Sequence, residues 1–383
     1  MMLDRRAVSA IQQAIERVIA DGEIGLQIAA YVGEELVIDA WGGTTAPVNG
    51  AWVSGDTLFN VFSVTKGITA TALHLQAERG LVEYDAPIAR YWPEYGSQGK
   101  TEITVAMALT HCTGAPHVPP DVTPEMLCDW DQMVRAIADL PPILPMGSPA
   151  YHSLSYGWII GEIIRRTDPR GRSFAEFVRE ELLDPIGVED VWFGVSGEAG
   201  NRVATLSEEN SNAAPLTTGT LFERSMPQQV RSSPKLFERA DIRRACLPSN
   251  GVIASARGMA RFWAMLANEG ELGGHRLLSA KRIQWMRQPR PGGNPPDPVL
   301  FGGIAHISAG GFWLYDSASP LTTPVRSRSA ICAPGSGASI AWADPSTGLA
   351  VAFCHNRMTN PADAAAHPAS GLADLVRSTL GLA

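Results

Sequence analysis

Strand-like segments occur only at the two ends of this 383-residue chain, and helical patterns occupy its middle. Near the start, residues 25–32 and 35–41 have the apolar content of two strands, and the short turn Gly33-Glu34 between them predicts a hairpin. Near the end, short apolar runs alternate with glycine and proline, at 302–306, 311–315, 328–332, 339–343 and 349–354. This order predicts an α/β (α+β) fold in which an antiparallel sheet is built from both termini and flanked by helices.

The same distribution predicts two structural regions. Residues 1–65 and 245–383 would form the α/β sheet domain, and residues 66–244 would form an inserted, mainly helical domain. Residues 194–250 are irregular and polar, rich in Ser, Asn, Thr and Pro, and they predict a long excursion. The clearest helical patterns cover 135–140, 155–166, 173–182, 257–267, 279–286 and 370–380.

Composition excludes several classes of protein. A net charge of −8 offers no basic stripe for nucleic acid, and no run approaches 18 apolar residues, so no membrane partner is expected. Five widely spaced cysteines without a Cys-x-x-Cys pair predict reduced thiols. The segment 7–20 has the pattern of an amphipathic helix and lacks the apolar core of a signal peptide. The sequence therefore predicts a cytoplasmic protein, and its scattered histidines predict neither a metal site nor a cofactor.

Ser63-Val64-Thr65-Lys66 places a hydroxyl and an amine three residues apart at a predicted helix start. Residues at i and i+3 share one face of a helix, so the Lys66 amine can reach the Ser63 hydroxyl. A serine becomes an effective nucleophile when a neighbouring base takes its proton, and a helix N-terminus favours a developing oxyanion. A second Ser-x-x-Lys, at 232–235, lies in a polar stretch and is interpreted as a capped surface turn.

Tyr151-His152-Ser153 follows a stretch rich in proline and glycine and leads directly into an apolar helix. A tyrosine at such a helix entrance can point into a cleft. Its phenol titrates near a pH of about 10, and we expect a close lysine ammonium to lower that pKa and make Tyr151 a proton shuttle. The alternative is an ordinary half-buried tyrosine.

The third candidate segment is the glycine-rich turn at 334–339, directly before a predicted strand. Gly335 and Gly337 would let the backbone pass close to a ligand, and a backbone N–H there could act as an oxyanion donor. Taken alone, the same residues are equally typical of a turn between two strands.

Together, Ser63-x-x-Lys66, Tyr151-x-Ser153 and Gly335-x-Gly337 resemble, in order and spacing, the three motifs of the serine β-lactamase and penicillin-binding-protein superfamily. The segments 109–114 and 250–262 also look like that superfamily, and the resemblance covers about residues 25–358. The most similar branch has a tyrosine in its second motif: class C β-lactamases, family VIII carboxylesterases, D-stereospecific peptidases and related acyltransferases. The resemblance implies an α/β sandwich beside an all-helical region, with the site between them.

The resemblance also implies roles for individual residues. Ser63 would form the acyl-enzyme, and Lys66 and Tyr151 would hold and relay its proton as a coupled pair. Backbone N–H groups of Ser63 and Ser336 would bind the oxyanion. The substrate would contact the second and third motifs, at Ser153, Gly335, Ser336 and Gly337.

Two positions depart from the superfamily pattern. Ser153 stands where an asparagine is usual, and Ala333 stands where a lysine, histidine or tryptophan is usual. Without that cation, a substrate carboxylate loses its usual partner. We therefore expect a carboxylesterase for short-chain or small aromatic esters. The alternatives are an acyltransferase that uses the same acyl-enzyme, a less favoured β-lactamase or peptidase, and a non-catalytic binding homologue.

Overall fold

A computed structural model describes residues 5–208, 219–359 and 367–382. Part of the predicted excursion, at 209–218, therefore lies outside the described residues. The helices are α1 Arg5–Ala20, α2 Thr65–Glu78, α3 Val105–Leu109, α4 Pro124–Leu127, α5 Trp130–Ala138, α6 Ser155–Thr167, α7 Phe174–Val178, α8 Gly197–Gly200, α9 Leu221–Ser225, α10 Pro234–Phe237, α11 Ala240–Arg244, α12 Ala256–Ala267, α13 Ala280–Met286 and α14 Ser370–Thr379. The strands are β1 Gly25–Val32, β2 Glu35–Gly43, β3 Phe59–Asn60, β4 Val191–Phe193, β5 Ser207–Glu208, β6 Val252–Ala254, β7 Glu271–Leu272, β8 His275–Arg276, β9 Trp313–Leu314, β10 Ile331–Pro334, β11 Ile340–Asp344, β12 Leu349–His355 and β13 Arg357–Met358.

The main sheet joins the two ends of the chain. Its six strands have the order β2-β1-β12-β11-β10-β9, and every neighbouring pair is antiparallel. The hairpin predicted at Gly33-Glu34 is present, and Gly33 has the positive φ of 60° that favours glycine in a tight turn. The predicted antiparallel sheet from both termini is confirmed.

Alternating residues of β1 bury two different faces of the sheet. Leu26 and Ile28 belong to an apolar cluster that also contains residues of α1 and α14. Ala29 and Tyr31 belong to the larger cluster, which contains α12 and much of the helical region. Because strand side chains alternate between faces, this pattern places α1 and α14 on one side of the sheet and α12 on the other.

Close backbone packing brings the helical region against the sheet domain. A Cβ atom added at Gly67, on α2, would lie 2.7 Å from the Trp263 ring of α12. A Cβ atom added at Gly157, on α6, would lie 2.2 Å from the carbonyl carbon of Pro248. Only glycine fits at such approaches, so the first contact fixes α2 against α12 and the second fixes α6 against the segment that precedes β6.

Some elements differ from the sequence-based expectation. The strand predicted at 302–306 is wrong: this segment has only an isolated bridge between Pro296 and Ile304. The strand predicted at 311–315 shortens to two residues, Trp313–Leu314. No helix among the described residues combines the length and the apolar character needed to cross a membrane. The division into domains at residues 65 and 245 stays a prediction.

Replacing Gly67 with alanine tests the packing of α2 on α12. Alanine normally stabilises a helix interior by about 0.5–1 kcal/mol relative to glycine. At Gly67 the new methyl group would overlap Trp263, so we expect Gly67→Ala to lower the free energy of unfolding by about 1–3 kcal/mol. Gly371→Ala, on α14, is the control, because no atom lies within 4 Å of the added Cβ there. Urea denaturation measures both, and equal effects of the two variants would contradict this packing.

Candidate active site

Ser63 lies in a single 3₁₀ turn, Phe62–Val64, between β3 and α2. Phe62 has a φ of 49°, an unfavourable backbone conformation for a bulky residue. The Thr65 hydroxyl holds this turn, since it donates to the Phe62 carbonyl at 2.5 Å and accepts from the Val252 N–H at 3.0 Å. The strained turn therefore presents Ser63 immediately before α2, which begins at Thr65 rather than at the serine.

Lys66 is buried and its amine contacts three oxygens. Nζ lies 3.0 Å from the Ser63 Oγ, 2.8 Å from the Ser153 carbonyl and 3.1 Å from the Ser249 carbonyl. Burial lowers the pKa of Lys66 to about 7. A neutral amine has two N–H groups and one lone pair. Since both carbonyls can only accept, they take the two N–H groups, and the lone pair faces the Ser63 hydroxyl.

Tyr151 lies beside this pair. The Lys66 Nζ is 5.3 Å from the centre of the Tyr151 ring, and the Tyr151 hydroxyl interacts with the Ser63 hydroxyl. Burial raises the pKa of Tyr151 to about 12, against a smaller lowering by Ser63. The expected lowering by a lysine ammonium is wrong, because burial acts on both groups and favours the neutral form of each. Tyr151 therefore holds its proton at neutral pH.

Two neutral histidines hold the residues on either side of Tyr151, Ala150 and His152, in place. His152 Nδ1 lies 2.6 Å from the Ala150 carbonyl, so this nitrogen carries the proton, and Nε2 accepts from the Thr113 hydroxyl at 2.6 Å. His111 Nδ1 accepts from the His152 N–H at 3.0 Å, and its ring lies 4.6 Å from that of Tyr151. Burial is the main cause that holds the pKa of His111 well below its ordinary value. Neither imidazole competes with Lys66 for the proton.

Ser153 makes two separate contacts: its backbone carbonyl accepts from the Lys66 amine, and its side-chain hydroxyl pairs with the hydroxyl of Ser225. The Ser153 and Ser225 hydroxyl oxygens are 2.7 Å apart. Ser225 donates its proton to the Phe222 carbonyl at 3.1 Å, so Ser153 is the donor in the hydroxyl pair. The Ser153 hydroxyl proton is therefore used within the protein, although the residue was predicted to contact the substrate.

The glycine-rich turn approaches Ser63 from the sheet. A Cβ atom added at Gly335 would lie 2.4 Å from the Val61 carbonyl, so only glycine allows this approach. Gly337 has a φ of 80°, and an added Cβ would lie 3.1 Å from Met358. Ser336 stands between them. Ala333 is buried, 3.6 Å from a Cβ atom added at Gly67 on α2.

Two backbone N–H groups near the nucleophile are free to donate. Within the described parts of the chain, the N–H groups of Ser63 and Ser336 have no hydrogen-bond acceptor. The close approach of Gly335 to Val61 brings the segment that carries Ser336 next to the turn that carries Ser63. These N–H groups are the pair that the sequence predicts as oxyanion donors.

The structure thus brings the predicted residues of all three motifs to one place. The second Ser-x-x-Lys does not form a similar site: the Ser232 hydroxyl accepts from Asn250 at 3.4 Å, and Lys235 is exposed on a short helix. Within residues 5–208, 219–359 and 367–382, no three His, Cys, Asp or Glu side chains are grouped so that they could hold a metal ion.

Sequence reasoning missed several residues of the site. The Ser249 carbonyl on Lys66 has no signal in the sequence, since a backbone group shows no residue preference. The Asp297 carboxylate faces the backbone N–H of Tyr151 from a loop 146 residues away, and burial raises its pKa. His111 lies in the segment that resembles the superfamily, and that resemblance was the one available signal.

Comparison with known proteins gives a consistent result. The sequence profile of the family described as Beta-lactamase matches residues 11–374. A protein of Mycobacterium tuberculosis named "Esterase/beta-lactamase LipL" is 30% identical over 353 residues, which cover 88% of this chain and 78% of that protein.

Two solved structures are similar over almost their whole length. A family VIII carboxylesterase has a TM-score of 0.86 and 27% sequence identity, with 99% of each chain covered. A penicillin-binding-protein homologue from Caulobacter crescentus has a TM-score of 0.85 and 28% identity, also with 99% of each chain covered. The expected fold class is confirmed.

The lowered pKa of Lys66 predicts how the reactivity of Ser63 depends on pH. Only the neutral amine can accept a proton, so kcat/KM for p-nitrophenyl acetate should fall about tenfold per pH unit below about 7. It should level off above that value, because Tyr151 keeps its proton up to about 12. Lys235→Gln, in the second Ser-x-x-Lys, should keep the same inflection. A profile that is flat from pH 5 to 9 would contradict the assignment of Lys66 as the base.

Proposed function

Because this chain belongs to the beta-lactamase family, we propose that it is a serine carboxylesterase that cleaves short-chain or small aromatic esters through an acyl-enzyme on Ser63. The relative from Mycobacterium tuberculosis and the similar solved structure both carry esterase names, which supports this assignment. The substrate is a small molecule, and the reaction needs no cofactor.

The observation that carries the proposal is the environment of the Lys66 amine. Two carbonyls occupy its N–H groups, and its third contact is the Ser63 hydroxyl at 3.0 Å. Burial lowers the pKa of Lys66 to about 7, so the neutral amine is available as a base at the nucleophile near neutral pH. A lysine that served packing alone would not need this arrangement.

In the proposed acylation step, Lys66 takes the proton of the Ser63 hydroxyl while the oxygen attacks the ester carbonyl. The carbonyl oxygen becomes negative and accepts from the N–H groups of Ser63 and Ser336. The bond to the alcohol oxygen then breaks as that oxygen receives a proton from Tyr151, and the Tyr151 oxygen in turn takes the proton that Lys66 carries. A water molecule then attacks the acyl-enzyme while its proton passes through Tyr151 to Lys66. Lys66 returns a proton to the Ser63 oxygen as the acid leaves.

We also propose a cytoplasmic location. The five cysteines are free thiols, as is usual in a reducing compartment. Fractionation of the native host tests this location, and recovery of the protein outside the cytoplasmic fraction would contradict it.

Replacing the nucleophile tests the acyl-enzyme directly. Ser63→Ala removes the attacking oxygen, so p-nitrophenyl butyrate hydrolysis should fall about 10⁴-fold or more. Ser232→Ala removes the hydroxyl of the second Ser-x-x-Lys and should keep most of the turnover. A fluorophosphonate probe should add once per chain, and mass spectrometry should place it on the peptide that contains Ser63. An adduct on Ser232 would contradict the proposal.

Removing one hydroxyl tests the role of Tyr151. Tyr151→Phe keeps the ring and removes the proton donor, so turnover should fall at least about a hundredfold with the fold intact. Tyr156→Phe is the matched control. The Tyr156 ring also packs on the His111 ring, but the Tyr156 hydroxyl has no hydrogen-bond partner within the described residues. If Tyr151→Phe keeps near-normal turnover, the Tyr151 hydroxyl is not the proton donor and the residue has only a packing role. Thermal melting of both variants checks the fold.

A further inference from the structure

Arg231, Phe222 and Phe301 form a row in which the guanidinium lies over one ring and the two rings are in tilted contact. The Arg231 guanidinium lies 5.7 Å from the centre of the Phe222 ring, and the Phe222 and Phe301 ring centres are 5.4 Å apart. Phe301 is 61% exposed, whereas the other two are partly buried. The row is therefore a surface with a cation at one end and two aromatic rings at the other.

Hydrogen bonds between residues next to one another in sequence link Phe222 and Arg231 to the two carbonyls that bind Lys66. The Phe222 carbonyl accepts from Ser225, which pairs with Ser153, and the Ser153 carbonyl accepts from Lys66. On the other route, Arg231 precedes Ser232, which accepts from Asn250, the residue after Ser249.

The aromatic end of the row is connected to Tyr151. Phe301 follows Leu300, whose N–H donates to the Asp297 carboxylate, and the same carboxylate faces the Tyr151 N–H. Through these contacts Phe222 is linked to Ser153 and Phe301 is linked to Tyr151, the two named residues of the second motif.

Among the described residues, Arg231 lies over the Phe222 ring and forms no ion pair, and its buried Nε has no hydrogen-bond partner. The arginines near position 333 in sequence do not compete for this role. Arg326 binds Asp374 on the far helix α14, and Arg328 is exposed. A guanidinium stacked on a ring keeps its edge donors available, and their fork geometry matches a carboxylate.

We propose that Arg231 binds a carboxylate of the substrate and that Phe222 and Phe301 bind the apolar part next to it. The preferred substrate is then an ester that carries one carboxylate on an apolar or aromatic body. This inference rests on the proposed esterase function and adds the substrate class. Arg231 would take over the task of the cation that the superfamily usually has at position 333, from a different segment of the chain.

A pair of esters that differ in one group tests the proposal. Mono-p-nitrophenyl adipate and p-nitrophenyl hexanoate have the same leaving group and the same chain, and they differ in a terminal carboxylate against a methyl group. We expect Arg231→Gln to lower kcat/KM for the adipate ester by about ten- to hundredfold, mainly through KM, and to leave the hexanoate ester within about twofold. Arg231→Lys should restore part of the adipate turnover.

Arg224→Gln is the matched control, because Arg224 is an exposed arginine on α9 without an ion pair in the described parts of the chain. It removes the same net charge from the same region and should change the adipate-to-hexanoate ratio by less than about twofold. Phe301→Ala should lower kcat/KM for both esters, because the rings bind the chain that the two esters share. Phe301→Leu should recover part of this loss.

The outcomes separate the two proposals. If the wild-type protein cleaves neither ester, the esterase function fails, and the substrate class fails with it. If both esters are cleaved but Arg231→Gln changes them equally, or changes neither, the esterase function stands and Arg231 has no role in binding a carboxylate. The proposal would also be overturned if Arg224→Gln changed the adipate-to-hexanoate ratio as much as Arg231→Gln does, because the effect would then come from net charge alone. Turnover of the hexanoate ester shows that each variant is folded.

Discussion

The burial of one lysine amine among backbone carbonyls is the constraint on which the site depends. Lys66 comes from α2, and its two carbonyl partners, Ser153 and Ser249, come from segments 87 and 183 residues away. An uncompensated buried ammonium would be costly, so these segments must meet at the amine before the site exists. The glycines that allow close backbone contact, Gly67 and Gly157, lie on the two helices that lead into this meeting point. The Lys66 amine can therefore act as a base only because the segments around it are packed very tightly.

Burial also divides the acid and base roles between two groups that sit side by side. Desolvation penalises the charged form of each, so the lysine tends to lose its proton and the tyrosine tends to keep its own. The neutral histidines His111 and His152 reinforce this division, because both nitrogens of His152 and the Nδ1 of His111 are committed to hydrogen bonds. Charges near the nucleophile are thus kept few, which suits chemistry in which a single negative oxygen develops.

Local patterns in the sequence predicted the sheet and the three motifs, because strand alternation, helix spacing and glycine turns depend on neighbouring residues. The direction of the Tyr151 pKa was predicted wrongly, since burial is a property of the whole fold and spacing shows only which charges lie near. The strand expected at 302–306 failed for a related reason. That segment has strand-like composition, but its start is held by the backbone of Asp297, which accepts from the Gly302 N–H and donates to the Gly303 carbonyl, while the Asp297 carboxylate faces Tyr151. No pattern within the segment shows that contact.

The two departures from the superfamily motifs have one structural explanation in common. At position 153 the serine hydroxyl turns towards Ser225, and at position 333 a small alanine lies against α2, so neither motif offers a side chain to a charged substrate group. Both changes move recognition away from the motifs and towards the segment 221–232, which follows the part of the chain that the structure does not describe. This segment touches the site at Ser225 and Ser232 and carries Arg231 and Phe222. The catalytic groups can therefore stay fixed by burial while a separate connecting segment sets which substrates the enzyme accepts.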